Sequence, residues 1–175
     1  ENEGDLVFCS SDVNAKKINF MAKYGRGLIC LTLDSTQAKK LGLSYMSPVN
    51  RSRNQTAFTI SIEAKKGVTT GISAQDRAKT IKIATKKNVL RNEIVSPGHV
   101  FPIISKDGGV LVRAGHTEAS VDISRLAKKN TSAVICEIMD DDGTMARGEK
   151  LHNFALKYKL KIGRIDDLIA FRLKR

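Results

Sequence analysis

The stretch RAGHTEA, Arg113 to Ala119, places arginine, histidine and glutamate around a glycine between two segments of different periodicity. The run before it, 109–112, is Gly-Val-Leu-Val and predicts a strand. The residues after it are apolar at 119, 123, 126 and 127, which predicts a helix with that apolar face. The polar cluster is therefore expected on a strand-to-helix turn, with Thr117 as the N-cap.

A turn of this kind is compatible with two functions and one structural role. The free N–H groups and partial positive charge of a helix start favour an anion such as phosphate, and Arg113 could add a bidentate contact. His116 could bind a metal or move a proton. A capped helix with an incidental histidine explains the same seven residues equally well, and the stretch alone does not separate these interpretations.

The composition indicates one folded domain. The chain has 175 residues, of which 41% are hydrophobic, enough to bury a core. No apolar run approaches the roughly 18 residues that span a membrane, and no signal peptide is visible at the start. Cys9, Cys30 and Cys136 each lie in an apolar run without CxxC spacing, which argues against zinc and favours a reducing, cytoplasmic compartment.

The net charge of +12 raises the question of nucleic-acid binding. The lysines, however, are dispersed as pairs along the chain, and aromatic residues make up only 5% with no tryptophan. Base-stacking platforms are therefore sparse. We expect a solvated basic surface that attracts a small anionic substrate, with neither nucleic acid nor membrane as a partner.

Strand and helix patterns alternate along the sequence, which predicts a layered α/β (α+β) domain with a mixed sheet flanked by helices. Strands are predicted at 6–9, 28–33, 58–62, 100–104, 110–112, 134–139 and near 162. Helices are predicted to begin near 15, 35, 73, 117, 151 and 168, and the first is expected to stop at Gly25. Ser73 and Asp76 form an S-x-x-D capping box for the third of them.

Several polar residues stand out in this framework. The opening ENEGD carries Glu1, Glu3 and Asp5, which with an imidazole suit magnesium or manganese, although an exposed acidic tail is the simpler explanation. His99 lies in a Pro-Gly turn at a strand entrance. Glu137 interrupts an apolar strand, where a carboxylate faces solvent or a partner because lone burial is costly.

Two glycine-framed threonines, Thr69 and Thr70, precede the helix that Ser73 caps. They form a second turn that could bind an anion or a hydroxyl. On its own this signal is weak, because many helices begin in the same way.

Five motifs together resemble the 3,4-dihydroxy-2-butanone 4-phosphate synthase family of riboflavin biosynthesis. They are ENEGD, GVTTGIS-x-x-DR, PGHVFP, GGVLVRAGHTEA and CEIMDDDGTMAR, in this order, and the resemblance extends from Glu1 to about Arg172. The family implies a homodimeric lyase that converts D-ribulose 5-phosphate to formate and L-3,4-dihydroxy-2-butanone 4-phosphate with magnesium. In the family's scheme, water is lost, the carbon skeleton shifts and C4 leaves as formate.

The resemblance implies roles for particular residues. Glu1 and His116 resemble the family's magnesium ligands. Asp5 resembles a group that contacts the substrate and helps to transfer protons. The phosphate is expected to bind the turn that consists of Arg113, Ala114, Gly115, His116 and Thr117.

Further roles follow from the same resemblance. His99 and Glu137 resemble residues essential for catalysis, and Glu137 is also expected to contact the substrate. Thr69 and Thr70 correspond to a loop near the active site across a dimer interface, and His99 could likewise act between subunits.

The chain also differs from the family pattern at its start. The family has a strand and an acidic segment ending in arginine before ENEGD, so residues 1–175 are expected to form a single domain that lacks this N-terminal strand. Two other functions remain open: a basic module that binds RNA or a nucleotide, and a metal-dependent phosphosugar isomerase. Formate release from ribulose 5-phosphate would distinguish the synthase from both.

Overall fold

The computed structural model describes residues 2–174 of the chain. Its strands are β1 (Asp5–Cys9), β2 (Cys30–Leu33), β3 (Ile62–Ala64), β4 (Ile94–Ile104) and β5 (Ser132–Glu137). They form one sheet in the order β1-β5-β2-β4-β3. The central strand β2 is parallel to β4 and antiparallel to β5, which confirms the predicted mixed sheet.

The helices found within residues 2–174 largely follow the predicted positions. They are α1 (Ala15–Phe20), α2 (Ser35–Leu41), α3 (Ala74–Ala84), α4 (His116–Leu126), α5 (Glu149–Tyr158) and α6 (Ile165–Leu173). A π-helical turn, Met21–Gly25, extends α1 and ends where Arg26 adopts a φ of 68°. None of the helices in this part of the chain is both long and apolar enough to cross a membrane.

Side chains from the two faces of the sheet enter two separate apolar clusters, because neighbouring residues of a strand point to opposite faces. The larger cluster packs the sheet against α1 and α3 and includes Ile18, Leu31, Ile81, Val100 and Val134. The smaller cluster, on the other face, consists of Cys30, Ile103 and Ile135 with Phe58 and Phe101. The alternation thus assigns each strand residue to one face of the sheet.

Helix α4 covers the second face beside β5, β1 and β2, and it does so with polar side chains. The hydroxyls of Thr32 and Ser120 are hydrogen-bonded at 2.8 Å, and Ser124 Oγ donates to Cys9 Sγ at 3.3 Å. The predicted apolar face is wrong, since Ile123 is 45% exposed whereas Ser120 and Ser124 are buried. Hydroxyl groups can replace apolar contacts at this interface because the buried hydroxyls of Ser120 and Ser124 each have a hydrogen-bond partner.

The predicted strand at 110–112 is also wrong, since Gly109–Leu111 forms a 3₁₀ turn. Gly108 and Gly109 have φ values of 95° and 65°, which no strand accommodates. The Val110 N–H donates to Asp122 Oδ2 at 2.9 Å, so the run is fastened to α4 and not to the sheet. Arg172 of α6 donates to the same oxygen at 2.6 Å, which docks the last helix on this turn.

Three further local predictions need correction. The segment 58–62 does not alternate regularly, because Thr59 is fully buried while Ile60 is 37% exposed. The strand predicted near Ile162 is absent from the described residues, where the chain is irregular between α5 and α6. The capping box at α3 is only half formed: the Asp76 N–H donates to Ser73 Oγ, but the Asp76 carboxylate accepts from Thr69 and Gly71 instead.

The central strand provides the first testable prediction. Leu31→Ala in β2 removes a side chain with 0% exposure and should lower the free energy of unfolding by about 2–5 kcal/mol, because it leaves a cavity. Leu156→Ala makes the same chemical change at a side chain that is 72% exposed and serves as the control. Equal losses for both variants in urea unfolding would show that β2 is not the centre of the core.

Candidate active site

Two carboxylates lie side by side at one end of the sheet. Asp5 of β1 is the direct partner of Glu137 of β5 in their antiparallel ladder, so both side chains share a face. Glu137 ends β5, and its Oε2 accepts the N–H of Leu28 at 2.8 Å. Gly27 lies so close that a Cβ there would be 2.5 Å from the same oxygen. The embedded Glu137 therefore does have a partner, and that partner is backbone.

His116 approaches these carboxylates from the covering helix. It is the first residue of α4, and its Nδ1 lies 3.8 Å from Asp5 Oδ1, beyond hydrogen-bond distance. The pKa of Asp5 is raised to about 6, mainly by burial; the nearby His116 acts to lower it, and the carboxylates of Glu137 and Glu3 act to raise it. The site therefore presents concentrated negative potential beside an imidazole.

The donor types at this position fit a hard divalent cation, which prefers carboxylate oxygens and accepts imidazole. Within residues 2–174, no three such side chains converge closely enough to hold a metal by themselves. The predicted ligand Glu1 lies outside the described residues. Of the two expected metal ligands, His116 is the one that lies within the described residues.

The predicted phosphate turn is held together by an ion pair between the half-buried Arg113 and the buried Glu118. Arg113 Nη1 donates to Glu118 Oε2 at 2.6 Å, while Nη2 donates to the Asn54 carbonyl and to Thr56 Oγ1 at 3.2 and 3.3 Å. Glu118 is 1% exposed, and its Oε1 accepts the Lys106 N–H at 3.0 Å. Since a guanidinium has five N–H donors, these three bonds leave two for a ligand.

The start of α4 differs from the predicted cap. Gly115 occupies the N-cap position with extended backbone, and Thr117 lies inside the first turn, 4% exposed. The prediction of Thr117 as N-cap is therefore wrong by two residues. A Cβ at Gly115 would lie 2.3 Å from Arg113 Nη1, so a glycine is required for the guanidinium to lie against the helix start.

His99 belongs to a second cluster, on the strands β3 and β4, which lie across β2 from Asp5 and Glu137. It lies inside β4 and not at a strand entrance, because β4 begins at Ile94. His99 Nδ1 is 2.7 Å from Glu63 Oε2 on β3. The loop with Thr69 and Thr70 is adjacent: its Gly71 would place a Cβ 2.1 Å from Glu63 Oε1, and Thr69 Oγ1 donates to Asp76 at 2.7 Å.

The two clusters share one face of the sheet but do not touch. Phe101 pairs with Cys30, and Cys30 pairs with Ile135. His99 and Glu137 each lie two residues beyond this row and therefore point to the same face. Since β2 separates β4 from β5, their backbones are roughly 10 Å apart.

Two residues of these clusters, Glu118 and Glu63, were not predicted as parts of the site. Glu118 stands within RAGHTEA, five residues after Arg113, so the nearness of two opposite charges in the sequence is the only local signal for the pair. Glu63 is one polar residue of an irregular strand, and nothing in the local sequence links it to His99. Only the β3–β4 pairing shows that connection.

Comparison with known proteins identifies the family of the chain. The family model described as 3,4-dihydroxy-2-butanone 4-phosphate synthase matches residues 1–171. The chain belongs to this family. Its expected fold and family resemblance are thereby confirmed.

Curated relatives agree with this assignment. The 3,4-dihydroxy-2-butanone 4-phosphate synthase of Photobacterium phosphoreum is 54% identical over 99% of this chain and 48% of its own length. The riboflavin biosynthesis protein RibBA of Aquifex aeolicus is 56% identical over 100% of this chain and 44% of its own. The chain thus spans about half the length of these synthase-family relatives.

Solved structures of the family share the fold. A 3,4-dihydroxy-2-butanone 4-phosphate synthase in complex with two magnesium ions has a TM-score of 0.95 and 38% identity, covering 99% of this chain and 86% of its own. The two-domain synthase RibBX of A. baumannii has a TM-score of 0.94 and 48% identity, covering 98% of this chain and 51% of its own.

The Arg113–Glu118 pair provides a second prediction. Glu118→Gln removes the charge that holds the guanidinium and should lower the free energy of unfolding by about 1.5–3 kcal/mol, the range for hydrogen bonds to charged groups. Glu149→Gln, at an exposed position of α5, is the matched control. Chemical denaturation of both variants measures the difference. An unchanged free energy of unfolding for Glu118→Gln would mean that the other contacts of Arg113 hold the turn.

Proposed function

We propose that the chain catalyses the magnesium-dependent conversion of D-ribulose 5-phosphate to L-3,4-dihydroxy-2-butanone 4-phosphate and formate in riboflavin biosynthesis. The observation that carries the proposal is that Asp5 lies beside Glu137 in the sheet and 3.8 Å from His116, the first residue of α4. Family membership indicates the reaction, and these two carboxylates and the imidazole are chemical groups that suit it.

The phosphate of the substrate would bind at the start of α4. The first N–H groups of this helix have no partner within the helix, and they carry the positive end of its dipole. Arg113 keeps two N–H donors beyond its protein contacts and lies against Gly115, so it adds charge at the same place. Ala114 and Thr117 complete the turn. Anchoring the phosphate here would hold the reacting carbons near the carboxylates.

The metal would be held by Glu1 and His116, as the resemblance implies, with Mg²⁺ or Mn²⁺ as the ion. The negative potential at Asp5 supports a cation at this position, and a related family structure contains two magnesium ions. A bound divalent cation supplies polarisation of the substrate ketone and its neighbouring hydroxyl, which acidifies the adjacent C–H.

The chain's own residues would move the protons. Asp5 and Glu137 are adjacent carboxylates that can take a proton from carbon or oxygen and return it. The Leu28 N–H orients one oxygen of Glu137 and leaves the other for the substrate. His99 would serve as a further acid–base group.

We also propose a cytoplasmic homodimer in which Thr69, Thr70 and His99 act near the subunit interface. Support comes from the separation of the His99 cluster from Asp5 within one chain, which a second copy could bridge. The compartment is supported by the cysteines Cys9, Cys30 and Cys136, which are all free thiols.

The decisive test of the activity uses Glu137→Gln. Wild-type protein should release formate from ribulose 5-phosphate with magnesium and not without it. Glu137→Gln keeps the side-chain size but removes the base, so turnover should fall by about 10²–10⁴ while metal binding survives. Glu149→Gln on the exposed side of α5 controls for the loss of one negative charge.

The outcomes separate the alternatives. Wild-type protein that releases no formate would refute the synthase function, and isomerised pentose phosphate in that assay would indicate an isomerase. Salt-dependent RNA binding without formate would indicate a binding module. Parental turnover by Glu137→Gln would show that this carboxylate is structural.

Metal binding is tested at His116. His116→Ala should weaken manganese or magnesium binding by about 10-fold or more and reduce formate release, because a ligand is lost. His152→Ala, at an exposed position of α5, controls for the loss of an imidazole. Calorimetric titration of both variants measures the affinity. If His116→Ala binds metal as tightly as the parent, the ion is held elsewhere.

A further inference from the structure

Among residues 2–174, His99 has one close charged partner, Glu63, which is largely buried. The His99 side chain is 43% exposed and the Glu63 side chain 12%, with Nδ1 and Oε2 2.7 Å apart. Since the carboxylate engages Nδ1, Nε2 is the ring nitrogen left to meet a substrate. The imidazole is therefore oriented by a group that itself has little contact with water.

Glu63 is held in an unusual way for a structural carboxylate. Its Oε1 is buried and has no hydrogen-bond partner among the described residues. By contrast, Glu118 uses one oxygen for Arg113 and the other for a backbone N–H. Glu93 likewise uses one oxygen for Lys86 and the other for the Leu90 N–H.

A buried acceptor without a partner costs stability, so its retention calls for a functional explanation. Gly71 lies directly against this oxygen, since a Cβ built there would be 2.1 Å from Glu63 Oε1. The neighbouring Thr69 and Gly71 N–H groups donate to Asp76 instead of to Glu63. The loop therefore encloses Glu63 without satisfying it, and the imidazole is the group that benefits from its charge.

We propose that Glu63 is a positioning residue that fixes His99 as a base with Nε2 unprotonated, an inference that rests on the proposed function of His99. Glu63 Oε2 accepts the Nδ1–H, which selects this tautomer and sets the ring orientation. When Nε2 takes a proton from the substrate, both ring nitrogens carry hydrogen and the carboxylate stabilises the imidazolium. The proton stays on the ring until Nε2 returns it, and Glu63 remains ionised throughout.

The kinetic test compares Glu63→Gln with Glu93→Gln, a control that removes an ion-paired carboxylate outside the site. Glu63→Gln should lower kcat about 10-fold or more, with KM within about twofold, because orientation of the base is lost and substrate binding is not. In a His99→Ala background, Glu63→Gln should cause no further loss. A further equal loss in that background would show a structural role and overturn the inference.

A spectroscopic test works whether or not the proposed reaction occurs. The chain has three histidines, so ¹⁵N spectra of the imidazoles can be assigned with His116→Ala and His152→Ala variants. Wild-type His99 should show the Nδ1–H tautomer, and Glu63→Gln should shift it toward the mixture of an unrestrained ring. An Nε2–H tautomer in the wild type would overturn the inference. Missing formate with the expected tautomer would instead refute only the proposed reaction.

Discussion

The antiparallel register of β1 and β5 is the constraint on which the rest of the site depends. It makes Asp5 the direct partner of Glu137 and, one residue further, places Leu6 opposite Cys136 in the core. A slip of one residue would turn Asp5 to the other face and expose Leu6. Packing of the core thus fixes the position of two carboxylates that repel each other, and their proximity contributes to the raised pKa of Asp5.

Helix α4 connects this pair to the groups proposed to bind the substrate. Its first residue is His116, and its buried hydroxyls lock onto β2 and β1. Asp122 of the same helix holds the Val110 turn and α6. One helix therefore sets the position of the imidazole, the turn with Arg113 and the last helix of the chain. Polar contacts suit this task because directional hydrogen bonds fix the rotation of the helix about its axis. An apolar stripe permits a wider range of rotation angles.

The electrostatics of the site oppose those of the whole molecule. The chain carries a net charge of +12, and paired lysines such as Lys39 and Lys40 are exposed at helix ends. Such a surface attracts anionic substrates. Within it, Asp5, Glu137 and Glu3 form a local negative region that suits a cation. The combination of a basic exterior and an acidic centre fits a phosphorylated substrate that binds together with a metal.

The sequence by itself determined the mixed sheet, most helix positions and the motif residues, because hydrophobic periodicity and motif spacing are local properties. It failed where distant groups override the local pattern. The local pattern predicts a strand at Val110, but its N–H is hydrogen-bonded to Asp122 of α4. The pattern also predicts Ile123 in the core, but this residue is exposed because Ser120 faces the sheet and is hydrogen-bonded to Thr32. The pairing of His99 with Glu63 was likewise decided only by the tertiary structure, since a contact across 36 residues depends on strand register, which no single segment encodes.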